Sequence, residues 1–163
     1  MRELAQIEAR LDRLTGDPVS GNDSGRPAPG TEFEFPGTGF PAAAAELLAL
    51  GEGILEHWVA ARGLEPTEQK REGFRLLALH RQGTAGEPSF NACRETCREL
   101  VYRYNLLKMD PQHEDNPRRL RMMALVANHL RLFVVGKMQV AGLGDFCCSS
   151  RPVREEAARG EQA

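Results

Sequence analysis

Long hydrophobic runs, lysine, aromatic residues and any large excess of charge are scarce in this chain of 163 residues. The longest apolar stretch, Met122 to Val135, is interrupted by Asn128, His129 and Arg131. It is too short to span a bilayer. The formal net charge is −2, too balanced to point to a polyanion through bulk electrostatics. Lysine occurs only at positions 70, 108 and 137, so arginine dominates the cations. A GC-rich coding sequence explains that bias without a guanidinium-based function. Catalytic signatures are also missing. There is no G-x-S-x-G, no phosphate loop, no G-x-G-x-x-G and no H-E-x-x-H. The first residues, Met1-Arg2-Glu3-Leu4-Ala5-Gln6, mix charges and have no apolar signal core. The expectation is a cytoplasmic protein whose thiols stay reduced.

Hydrophobic residues make up 41% of the chain and charged residues 27%, enough for one ordinary domain with a buried core. Residues 1–15 read as a short amphipathic docking helix, with Leu4, Ile7, Leu11 and Leu14 at 3-4-3 spacing and Gly16-Asp17-Pro18 as its stop. Two heptads are too few to stand alone. The seam is expected to dock on its own domain, on a second copy or on a protein partner. Residues 16–39 hold six glycines and four prolines and read as a flexible linker. Within it Glu32-Phe33-Glu34-Phe35-Pro36 suits a short extended docking motif or a loop pinned by its two phenylalanines.

Residues 40–150 form the candidate domain, and 151–163 a charged tail. Periodicity predicts four helices. They run from about Pro41 to Arg62, Pro66 to Arg81, Pro88 to Lys108, and Asn116 to Ala141. Asn116-Pro117 suits an N-cap followed by the first helical position. The short connections favour antiparallel neighbours. The predicted fold is therefore all-α, a four-helix bundle carrying the N-terminal helix on its linker. The last helix is apolar nearly all round between Met122 and Val135, which is the pattern of a central, most buried helix.

Chemistry is concentrated in four cysteines. Cys93 and Cys97 stand four apart on the third predicted helix and share a face. Cys147 and Cys148 follow the Gly142-Leu143-Gly144 break, where a turn can aim both sulfurs inward. Two pairs supply the four thiolates of a closed site. Adjacent cysteines suit different irons of one cluster better than one tetrahedral ion, so an iron–sulfur cluster is favoured over zinc. If the third and fourth helices are antiparallel neighbours, at least three of the four sulfurs should lie within roughly 7 Å of one another. Against this stands ordinary packing. Phe90, Cys93, Cys97, Leu100, Val101, Tyr104 and Leu107 make one apolar face, and free cysteine is often a small core hydrophobe.

Other candidates are weaker. His129 reads as a buried ligand or a packed neutral imidazole, and His113-Glu114-Asp115 as a solvated loop. Arg118, Arg119 and Arg121 at a helix N-terminus are suited to phosphate, although no phosphate loop or stacking platform accompanies them. The leading expectation is a cytoplasmic accessory or regulatory protein with a four-cysteine iron–sulfur or zinc site. A protein partner or second copy would meet Leu4, Ile7, Leu11 and Leu14. The alternative is a cofactor-free helical interaction module whose cysteines only pack. An enzyme using a thiolate ranks third.

Overall fold

The computed structural model describes residues 1–16 and 39–143. Among them the chain is all-α. Five α-helices are connected in the order α1 (Leu4–Thr15), α2 (Gly39–Ala61), α3 (Arg75–Thr84), α4 (Arg94–Met109) and α5 (Asn116–Val140). A 3-10 segment, Pro88–Cys93, leads into α4. Apart from its two end residues, the 16–39 segment lies outside the described residues, as do positions 144–163.

α2 is the enclosed element. It packs against α1, α3, α4 and α5 and buries Leu47, Leu50, Ile54, Leu55, Trp58 and Val59. Two glycines bring neighbours close. A Cβ on Gly51 would stand 3.2 Å from both Leu76 and Leu100, and one on Gly53 would stand 2.8 Å from Ile7 Cδ1. The central place expected for the last helix thus belongs to α2. An apolar composition all round gives a helix several faces that can be buried, but among the described residues α5 packs on α1, α2, α4 and the 3-10 segment and leaves one side exposed.

The N-terminal seam is occupied within the chain. Ile7, Leu11 and Leu14 are buried against α2 and α5, and Leu4 is half-buried. They are therefore not a surface for a partner or second copy, as the sequence allowed. Polar contacts fix the docking. Arg10 grips Glu46 of α2 through two hydrogen bonds of 2.6 and 3.1 Å, which hold the Glu46 carboxyl below its usual range. Arg131 of α5 pairs with Asp12 at 3.0 Å. His57 Nε2 donates to the Arg2 carbonyl at 2.7 Å.

Two predicted helices change shape. The second begins at Arg75, not near Pro66. Residues 65–74 are a loop whose turn has Glu72 at φ 53° and Gly73 at φ 82°, closed by hydrogen bonds between Arg71 and Phe74. Gln82 holds this loop by accepting from the Thr67 amide and donating to the Glu65 carbonyl. The third predicted helix divides at Cys93 into the 3-10 segment and α4. Asn116 is not an N-cap. It is the first residue of α5 and fully buried, and its amide donates to the Asp110 carbonyl at 2.8 Å, closing the α4–α5 loop.

α4 and α5 run antiparallel across that short loop. Ser89 accordingly meets Lys137 at 2.6 Å, and Phe90 meets Phe133 with ring centroids 5.8 Å apart. At this end Trp58 stacks on Phe90 at 4.6 Å with the planes 1° apart. Trp58 Nε1 donates to the Gly83 carbonyl at 3.0 Å, and Arg62 adds a second bond to the same oxygen at 2.9 Å. The end of α3 is thereby clamped onto α2.

Candidate functional site

Cys93 closes the 3-10 segment, and Cys97 lies one α-helical turn further on. Both are free thiols in the hydrophobic core. Their burial follows from the apolar face that runs through Phe90, Leu100 and Leu107, all fully buried. The Cys93 thiol donates to the Phe90 carbonyl at 3.3 Å. A hydrogen bond from Cys97 favours the Cys93 thiolate, and a nearby His80 adds to that effect against the cost of burial. Cys93 is therefore held below the ordinary thiol range, while Cys97 is pushed up by the same bond and by its own burial.

His80, near the end of the second predicted helix, has only a weak signal in the sequence. The structure buries it, stacks it on Phe90 with centroids 6.0 Å apart, and leaves its Nε2 without a hydrogen-bond partner. No periodicity signal could have linked it to Cys93, because the link crosses from α3 to the 3-10 segment.

Cys147 and Cys148 lie outside the described residues, so the expected approach of three sulfurs is not among the geometry described. Among the described residues, no three His, Cys, Asp or Glu side chains form a group placed to hold a metal ion. His129 is exposed on α5, neither a buried ligand nor a packed imidazole. His113 stays in its loop, where Nδ1 accepts from the Asp115 amide at 3.1 Å. Arg119 leans to His113 at 3.5 Å, while Arg118 and Arg121 are exposed at the start of α5.

The second feature is the outer face of α5. Met122, Leu125 and Leu132 are 38%, 43% and 59% exposed, and Val140 is 77% exposed. Positions 122, 125, 129, 132, 136 and 140 fall on one side of the helix, within about 100° of arc. The spacing is 3-4-3-4-4, with His129 and Gly136 completing the line. Composition hid this stripe, because apolar residues also cover the buried sides of α5. The 3-4 spacing was its only signal.

Among the described residues, no helix is long and apolar enough to cross a membrane. Comparison of the chain with protein-family models, curated proteins and solved structures finds no match in any of the three.

Proposed function

We propose that this chain is a helical protein-interaction module whose last helix presents the contact face and whose described cysteines act as core residues. The observation that carries the reading is the apolar stripe of α5, exposed along most of the helix. Contiguous exposed apolar surface on a folded chain marks a contact site more often than scattered single residues do. The core role of the cysteines is supported by their burial and by the Cys93 bond to the Phe90 carbonyl. On this reading α2–α5 are the four-helix bundle, the 16–39 segment is the linker that joins α1 to it, and the protein is a cytoplasmic accessory factor. The test is photo-crosslinking from a benzophenone side chain placed at Leu132, with exposed Gln112 as control position. Protein adducts from position 132 and none from 112 are expected. No adduct of any kind from position 132 would remove the reading.

The second reading is the metal site. Two thiols in hydrogen-bonding reach, one of them held below the ordinary thiol range, favour it. Cys93 and Cys97 would bind an iron–sulfur cluster, or zinc, together with Cys147 and Cys148. Metal and sulfide analysis of protein purified without oxygen is decisive here, combined with Cys93→Ser. A ligand role requires stoichiometric metal that the substitution abolishes. A core role requires an ordinary packing loss of about 1–3 kcal/mol with no metal to lose.

A further inference from the structure

The stripe on α5 has two ends of different character. At its start stand Arg118 and Arg121, both exposed and on the same side as Met122 and Leu125. Cations there oppose the helix's own macrodipole, whose positive end is the N-terminus. At the far end Val140 is exposed, and the helix finishes with carbonyl groups that carry partial negative charge. Near that end the stripe also narrows. A Cβ on Gly136 would meet nothing within 4 Å, so the space above it is open.

We infer that the occupant of this face is a second copy of the chain, with the two α5 helices paired antiparallel about a two-fold axis between His129 and Leu132. The inference rests on the interaction-module reading and names its partner. Three observations converge on it. First, the 3-4 spacing is that of a helix–helix seam, in which side chains of one helix fill the gaps of the other. Second, an antiparallel pairing sets Arg118 and Arg121 beside the C-terminal end of α5 in the second copy. The charges that oppose one dipole then complement the other. A parallel pairing would crowd four guanidinium groups together. Third, the same register puts Leu125 opposite Gly136 of the second copy, a large side chain over an open space, and does so twice by symmetry. One stripe therefore supplies both halves of its own complement.

Sedimentation of the full chain across the micromolar range tests the assembly. A concentration-dependent species of twice the 18.0 kDa chain mass is expected. The double variant Leu125→Glu with Leu132→Glu should sediment as a monomer at every concentration and keep its helical circular dichroism, because both side chains are exposed. A monomeric native chain overturns the inference, and so does a variant that stays dimeric. Orientation is read by mixing Leu125→Cys with Gly136→Cys and mapping disulfide-linked peptides. A 125–136 link is expected, and a 125–125 link overturns the antiparallel register. Adducts from position 132 separate this inference from the reading beneath it. An adduct of two copies of this chain supports both. An adduct with a different protein keeps the module and overturns the second copy, as does a crosslink within one chain for the second copy. If the native chain floats with anionic vesicles while remaining monomeric, the face meets a lipid surface and the inference is overturned.

Discussion

Replacing Gly83 with alanine is expected to lower the melting temperature by roughly 10 °C, equivalent to about 3 kcal/mol. Helix propensity argues the other way. Alanine is better than glycine inside a helix by about 1 kcal/mol, so at an open position the change would stabilise α3. Gly83 is not open. An added Cβ would stand 2.8 Å from Phe90 Cε1 and 2.9 Å from Trp58 Cδ1, closer than carbon atoms pack. Neither ring has room to retreat, since both are buried and stacked on each other at 4.6 Å. Moving the backbone instead would pull the Gly83 carbonyl from both Trp58 and Arg62. The chain has a single tryptophan, so Trp58 fluorescence reports on the site directly during a thermal melt. A Phe90→Leu change made together with Gly83→Ala should recover part of the loss, because it removes ring atoms from the clash. A variant as stable as the native chain would show that the close approach is not enforced.

That clamp also shows where sequence reasoning stopped. Helix periodicity located α1, α2 and α5 to within about two residues, since apolar positions recur there over several turns. It placed Cys93 and Cys97 on a core face, where the structure buries them. It overran α3, because Pro66 to Phe74 carries no strong stop at its start, and the loop is held by long-range bonds from Gln82 to Thr67 and Glu65. It joined the 3-10 segment to α4, because both keep apolar residues on one side. Gly83, Trp58 and Phe90 meet only in three dimensions. The exposed face of α5 was lost for the opposite reason. When a helix is apolar on nearly every side, composition cannot say which side faces solvent, and packing on α1, α2 and α4 decides it.

The pair of substitutions Ile7→Asp and Leu11→Asp should have the largest effect of any two changes in α1, releasing the helix from the domain. Both side chains are fully buried, and Ile7 sits on Gly53 of α2. An ionised carboxylate in that seam would have no partner, at a cost of several kcal/mol each. Detachment of α1 is the less costly response, and it limits the damage to the docking energy of the helix. Three buried aliphatic side chains leave the core with the helix. The expected loss is about 3–5 kcal/mol, at the upper end of what substitutions in a core cost. Freed, α1 is too short to remain helical, so far-UV circular dichroism should fall along with stability. Hydrogen exchange read by mass spectrometry locates the effect. Protection should vanish across Leu4–Thr15 and weaken on the facing sides of α2 and α5, while α3 and α4 keep most of theirs. The Arg10–Glu46 and Arg131–Asp12 pairs cannot hold the helix alone, because partly exposed ion pairs contribute only about 0–1 kcal/mol each. A variant that kept native protection over α1 and melted with the native chain would refute the intramolecular docking of that seam.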